Sequence, residues 1–427
     1  MYNKDNTKCV APWISIHNWP DGNVYPCCLW DSGDPVGNVN VQPLSEIWNS
    51  DKLKETRLKM ISGEKVHSCS RCYLLEKAGD SSYRQRINKE HKQYEHYLDK
   101  TNPDGSLDFM KFHLWDLRIS NFCNFKCRSC GAGLSSSWHK DAIGLGLISS
   151  DSKALVNVAD KTNFLNQIEN HYSCVDEIYF AGGEPLIMPE HYIILDELLK
   201  RGKTDVNIRY STNFSKLKFK NTNILDYWTK FTNLELYISI DGIGKIGEYV
   251  RSGYNDKEFE SNITTFKNSG IKPKHYGYAV TYGVLNYLHL FDLVLDFIDR
   301  DFVDKDIKKE GSRTVFFSPI SNPAHYDCKF LPSRFKKQFK DRLDKFAIEL
   351  QSREVTQYFI LDILRKLNTV YTTSMSSTFN YKEMRACKEY TDKLDKMRNE
   401  KFQDIFPYFH TSEDFLLIDE DEEGGNK

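Results

Sequence analysis

The sequence predicts an α/β fold of repeated strand–helix units, and three observations carry the prediction. From about residue 111 to 320, six apolar runs at 113–119, 176–181, 205–212, 233–241, 274–282 and 314–318 read as strands. Helical stretches near 153–169, 190–201, 222–231, 257–268 and 286–301 alternate with them. The chain of 427 residues has room for two to four domains, or one barrel with appendages. Its 40% apolar and 13% aromatic content can fill such a core. Repeated β–α units imply a parallel sheet with right-handed crossovers, and six of them satisfy a partial (β/α)6 barrel. Sites on such sheets lie at the C-terminal strand ends.

The flanks differ in character. Residues 1–75 form a small cysteine-rich module, in which a helix over Leu44–Ile61 is parted from a C-x2-C pair by the turn at Gly63. Residues 76–110 are a linker, and the stretch 81–100 is polar almost all round, as an exposed helix would be. The turn Thr101-Asn-Pro-Asp-Gly105 marks a boundary. The barrel is expected over 111–325 and a helical extension over 326–411. In that extension Phe335, Phe339, Leu343 and Phe346 make one apolar stripe, with Lys336, Lys337, Lys340 and Arg342 on a solvated face. Residues 412–427 are an acidic tail, expected to be disordered. No internal repeat is visible.

Charge and hydropathy exclude several classes. Lys plus Arg number 58 and Asp plus Glu 60, a net charge of −2, which argues against binding nucleic acid through a general positive field. The first thirty residues hold no apolar secretory core. The longest charge-free stretch, His275–Phe291, is broken by Gly277, Gly283, Asn286 and His289, so no transmembrane helix is expected. A cytoplasmic, reducing location follows as the default. There, clustered cysteines read as metal ligands or catalysts before disulfides.

Eleven cysteines occur. Cys123, Cys127 and Cys130 form C-x3-C-x2-C on the loop after the first barrel strand. Three thiolates so close suit a soft metal centre, and a cubane held by three leaves one iron open. A structural zinc borrowing His139 is the alternative. About fifty residues on, the run Glu177-Ile-Tyr-Phe-Ala ends in Gly182-Gly183-Glu184-Pro185. Adjacent glycines let the backbone approach a ligand, and Glu184 can accept from an ammonium group. The two motifs together resemble the radical S-adenosylmethionine (SAM) superfamily. The resemblance implies a [4Fe–4S] cluster on Cys123, Cys127 and Cys130, with the open iron taking the amino and carboxylate groups of SAM. It places Gly182, Gly183, Glu184 and Pro185 near the SAM amino group. It implies reductive SAM cleavage to a 5′-deoxyadenosyl radical that abstracts hydrogen from substrate. The third and fourth strands end in Ser211 with Asn213 and in Ser239 with Asp241, groups able to bond the ribose and the methionyl part. Arg251 matches an arginine that meets the SAM carboxylate in relatives. One departure is Ser129, where relatives often carry an aromatic residue near the adenine.

A second set lies in the first seventy residues. Cys9, Gly22 and Cys27 give C-x12-G-x4-C, and Cys69 and Cys72 follow as C-x2-C. A zinc ribbon would use the same thiols. The surroundings, Asp21-Gly-Asn-Val-Tyr-Pro-Cys27-Cys28, Val36-Gly-Asn38 and Leu44-Ser-Glu-Ile-Trp48, resemble the SPASM/twitch module of radical SAM enzymes. Four cysteines suffice for one auxiliary [4Fe–4S] cluster, the twitch form. The Gly-x4-Cys spacing favours Cys27 over its neighbour Cys28 as ligand. In relatives the module follows the barrel, whereas here it precedes it. A cluster serving the reaction is expected at the barrel's open face, beyond SAM, while a purely structural one can lie anywhere. Cys174, Cys328 and Cys387 have no partner at ligand spacing and read as buried free thiols. The expectation is therefore an enzyme with two [4Fe–4S] clusters and SAM, acting on a peptide or protein side chain and fed by a flavodoxin- or ferredoxin-type donor. A small metabolite or nucleotide substrate, and a zinc-stapled binding protein without activity, are the competing readings.

Overall fold

The computed structural model describes residues 7–77, 79, 81–306 and 314–406. The acidic tail lies outside them. Two compact units emerge. The first comprises 1–122, 155–210 and 229–233, and the second 123–154, 211–228 and 234–427.

In the first unit the strands Ser15–Asn18, Leu114–Leu117, Glu177–Phe180 and Asn207–Thr212 lie side by side and parallel. Asn23–Tyr25 and Gly37–Asn38 extend the sheet antiparallel beyond Ser15–Asn18. Trp115, Ile178 and Ile208 fill its core. The cysteine-rich segment thus contributes a strand directly, with Ser15 opposite Leu114 and Asn18 opposite Leu117. Fully buried Arg57 ties that segment to the Thr101–Gly105 turn. Its guanidinium donates to the carbonyls of Pro12, Trp48 and Gly105 and lies 4.7 Å over the Trp48 ring.

Several expected elements are shorter or divided. The helix expected over 44–61 is two, Leu44–Trp48 and Asp51–Ser62, because Ser50 caps the second through the Leu53 N–H. The stretch 81–100 is not an exposed helix: Tyr83–Glu90 is α-helical and Lys92–Lys100 is 3₁₀, and Arg84, Ile87, Tyr97 and Leu98 are buried. Arg84 pairs with Glu76 and donates to the Lys8 carbonyl. The helix expected from 153 begins at Lys161, since Asp160 caps it and Val158 N–H bonds the Ile119 carbonyl instead. The helix expected over 222–231 is only Ile224–Trp228.

In the second unit Asn233–Ser239, His275–Tyr282 and Thr314–Pro319 run parallel, joined through the helices Asp256–Asn268 and Leu290–Asp299. Three further helices follow, Ser333–Gln351, Gln357–Ser374 and Tyr381–Arg398. The stripe Phe335, Phe339, Leu343 and Phe346 is buried. Lys336 is not on a solvated face: it is 4% exposed, and its ammonium donates to the Lys329 and Ser377 carbonyls. Cys328 and Cys387 are buried, but Cys174 is only half-buried. Among the described residues no helix is long and apolar enough to cross a membrane.

Candidate functional site

The Gly182–Pro185 turn follows Glu177–Phe180, at the C-terminal edge of the first unit's parallel strands. Gly182 has φ of +107°, a conformation that side chains strain. At Gly183 space decides. A Cβ there would stand 2.2 Å from the Phe122 carbonyl oxygen, the residue before Cys123. The Glu184 N–H donates to that same oxygen at 2.8 Å. Glu184 is 1% exposed, and its carboxylate caps the following turn by accepting the Leu186 N–H at 3.1 Å. The sequence reading missed this capping role.

In the second unit the loop bearing Cys123, Cys127 and Cys130 is held from several sides. Asn213 donates to the Asn124 side chain at 3.0 Å, and Asn124 donates to Ser215 at 2.8 Å. Asn213 is thereby placed as an anchor of the cysteine loop. Trp138 Nε1 donates to the Cys127 carbonyl at 2.8 Å. Arg251 pairs in antiparallel register with Cys127. Its guanidinium binds the Asp241 carboxylate at 3.0 Å, and the Thr281 N–H donates to the other Asp241 oxygen at 2.7 Å. Burial disfavours the Arg251 charge, but Cys127, Asp241 and Cys123 outweigh it and hold its pKa above the ordinary range. Burial also raises Asp241, against the pull of Arg251. Asp241 and Arg251, expected to meet different parts of one ligand, thus meet each other. Ser211 and Ser239 are half-buried.

Ser129 and Asp241 line a pocket walled by Val250, Val284, Leu285 and Ile320. These aliphatic side chains supply the apolar surface that Ser129 itself lacks. The strand-to-helix segment 283–286 was not singled out in the sequence. Its Gly283 followed by apolar residues at a strand end was the available signal.

The four N-terminal cysteines gather in the first unit. Electrostatic coupling links Cys9 with Cys72, Cys27 with Cys9 and Cys69, and Cys69 with Cys9 and Cys72. Cys28 instead neighbours Asp116 and Arg118. Cys27 thus lies beside Cys9 and Cys69, and Cys28 beside Asp116 and Arg118. Burial pushes the Cys9 thiol up to about 12 and Cys28 to about 11. In the second unit it pushes Cys127 up to about 12. Buried thiols of this kind become thiolates when a metal supplies the compensating charge.

Tetrahedral zinc with bonds of about 2.3 Å needs sulfurs roughly 3.8 Å apart. Among the described residues no three thiols stand within 4.8 Å of one another. His139, the alternative fourth zinc ligand, is committed to the Ser152 carbonyl at 2.7 Å. The ligand-type side chains that do converge, Glu90, His91 and Glu177, are not cysteines, and Glu177 already pairs with Arg209 at 2.9 Å.

Cys9 precedes Ser15–Asn18, and Pro26, next to Cys27, accepts from the Ser15 hydroxyl. Ser15–Asn18 runs parallel to Leu114–Leu117, so the backbone on either side of it at Cys9 and Pro26 lies toward the start of that strand. Gly182–Pro185 follows the end of Glu177–Phe180 in the same sheet.

A family model described as the radical SAM superfamily matches residues 117–288. One described as an iron-sulfur cluster-binding domain, SPASM, matches residues 9–73. No curated protein matches the chain. Solved structures similar to it include Streptococcus suis SuiB bound to precursor peptide SuiA, at 13% identity and TM-score 0.37, covering 69% of this chain and 63% of that one. Another is Streptococcus suis SuiB bound to S-adenosylmethionine, at 15% identity and TM-score 0.35, covering 72% and 63%. The chain spans less than two thirds of the length of these structures. With both cysteine sets inside the matched regions and the Gly-Gly-Glu-Pro turn at a parallel-strand end, residues 117–288 form a radical SAM region and residues 9–73 a SPASM-type iron–sulfur domain ahead of it.

Proposed function

We propose that this chain is a radical SAM enzyme acting on a peptide or protein side chain. The observation that carries the reading is the pair of cysteine sets, each inside a region that matches an iron–sulfur or radical SAM family model, with the three-cysteine loop anchored by Asn213. Cys123, Cys127 and Cys130 would hold one [4Fe–4S] cluster, and Cys9, Cys27, Cys69 and Cys72 a second. The first cluster, when reduced, supplies the electron that cleaves SAM to methionine and a 5′-deoxyadenosyl radical.

The chain's own groups have distinct tasks. Gly182 and Gly183 bring backbone close to the methionyl end, and Glu184 and Pro185 complete that turn. Ser211, Ser239 and Asp241 offer acceptors and hydroxyls to the ribose and amino-acid parts. Arg251 offers a cation to the SAM carboxylate once its bond to Asp241 is shared. Val250, Val284, Leu285 and Ile320 exclude water around the base. The peptide substrate is supported by the resemblance of residues 9–73 to a module found on peptide-modifying enzymes. A flavodoxin or ferredoxin in a reducing cytoplasm is the electron donor that such chemistry requires.

Anaerobic reconstitution with iron and sulfide tests the reading. About eight irons per chain and 5′-deoxyadenosine on dithionite reduction are expected. About two zinc per chain, no iron uptake and no nucleoside product would refute it.

A further inference from the structure

The three-cysteine loop carries a buried arginine that no cluster ligation requires. Arg128, between Cys127 and Ser129, is 1% exposed. Its guanidinium stacks 3.7 Å over the Tyr249 ring and donates to the Tyr249 carbonyl at 3.2 Å. It also reaches Asp395, and Glu400 at 2.6 Å. Both carboxylates belong to the C-terminal extension, more than 260 residues away in sequence.

The extension is shaped to deliver them. The helix Tyr381–Arg398 ends at Asn399, whose left-handed φ of 54° turns the chain back. The Glu400 N–H then bonds the Asp395 carbonyl at 2.9 Å, so the two carboxylates converge on one cation. Tyr249 OH donates to Asp395 at 2.7 Å, and Ser252 OH to Glu400 at 3.2 Å. A second connection runs beside the first. Arg398 binds Asp141 at 2.9 Å and donates to Ser252 at 2.9 Å, with its guanidinium 4.9 Å over Trp138. Trp138 bonds the Cys127 carbonyl, Lys126 reaches Asp141 at 3.3 Å, and Ser252 pairs with Lys126 in the short ladder that also joins Arg251 to Cys127. The peptide units around Cys127 are thus held by groups that themselves end on the last described helix.

We propose that Arg128 is a positioning residue for the radical cluster, and that Asp395 and Glu400 hold the three-cysteine loop in its ligand-ready shape through it. This inference rests on the iron–sulfur reading above. A loop with two glycines directly after its third cysteine, at Gly131 and Gly133, has little stiffness of its own. Buried ion pairs fix geometry because a displaced charge would be left uncompensated. The C-terminal extension then belongs to the machinery of the cluster and is not an independent appendage.

Asp395→Asn tests it, since the amide keeps the shape and much of the hydrogen bonding. The reconstituted protein is exposed to an iron chelator, and iron release is followed beside the EPR spectrum of the reduced cluster and the thermal midpoint. Release about tenfold faster, with altered g values and a midpoint within a few degrees of the parent, is expected. Arg128→Lys, which retains the charge but not the fork, should fall between the two. In a Cys123→Ala/Cys127→Ala/Cys130→Ala background Asp395→Asn should leave iron release unchanged, which assigns the effect to the first cluster. Parental release and EPR in both Asp395→Asn and Arg128→Lys would overturn the proposal. If the parent protein takes up no iron, the iron–sulfur reading has failed instead.

Discussion

Gly183→Ala gives the sharpest test of how the Gly-Gly-Glu-Pro turn packs against the backbone of Asn121 and Phe122. The added methyl would sit 2.2 Å from the Phe122 carbonyl oxygen, 2.8 Å from its carbon and 2.9 Å from the Asn121 carbonyl carbon. All three are backbone atoms, so no side chain can swing aside. Ordinary contact is about 3.5 Å or more between carbons, so the turn and residues 121–122 must separate by about 1 Å. Overpacking of this kind costs roughly 1–3 kcal/mol. Moving the turn also lengthens the 2.8 Å bond from Glu184 N–H to Phe122, worth about 1 kcal/mol. A total of about 2–4 kcal/mol corresponds to a midpoint lower by roughly 4–16 °C. The shift displaces the backbone proposed to face the methionyl group, so SAM affinity should fall at least tenfold. Gly131→Ala is the control. It follows Cys130 directly, yet a Cβ there meets nothing within 4 Å, and its φ is not in the left-handed range. Equilibrium dialysis against labelled SAM under anaerobic conditions, with differential scanning fluorimetry, reads both effects. Equal midpoints and equal SAM affinity for Gly183→Ala and Gly131→Ala would refute the reasoning.

Changing Cys123, Cys127 and Cys130 to Ala together should remove about four of eight irons and abolish 5′-deoxyadenosine formation, measured by iron assay and chromatography. Glu184→Gln keeps the cap on Leu186 but loses the charge. SAM affinity should drop roughly ten- to hundredfold at unchanged iron content, and unaltered binding would remove Glu184 from the site. For Asp116, burial alone would raise its pKa, but Arg118 and then His17 overcome burial and lower it to about 2. Its contribution, about 2 kcal/mol, is complete above the ordinary carboxyl pKa near 4 and lost as pH falls toward 2. Asp116→Asn should therefore be less stable by about that much at pH 7, with the gap closing below pH 4 in denaturant titrations. Cys69→Ala/Cys72→Ala should lower the thermal midpoint of the whole chain, because the cysteine segment supplies an interior strand. It should still cleave SAM slowly. Normal substrate turnover by this variant would mean that the second cluster serves only as a staple.

Much of the chemistry was legible in the sequence because ligand spacing is local. C-x3-C-x2-C, Gly-Gly-Glu-Pro and C-x12-G-x4-C each set their geometry within a few residues, and the strand before each catalytic loop announces itself by a short apolar run. Six strands were found within two residues at either end for the same reason. The misread elements were those where a neighbour overrides local pattern. The stretch 81–100 looks polar all round, yet Arg84 is buried because Glu76 and the Lys8 carbonyl meet it. Lys336 reads as a surface charge until two carbonyls from distant segments surround its ammonium.

What only the tertiary structure decided is which distant groups converge. Spacing identified the four N-terminal cysteines, but only the parallel pairing of Ser15–Asn18 with Leu114–Leu117 showed that their segment is part of the sheet. Strand direction is set by long-range hydrogen bonding, which no local pattern encodes. The choice of Cys27 over Cys28 became physical once Cys28 was found beside Asp116 and Arg118. Likewise a plain Arg-Ser between two cysteines gives no sign that Asp395 and Glu400 will close on Arg128. That contact exists because the last helix packs back onto the cysteine loop and buries a charge that must then be neutralised.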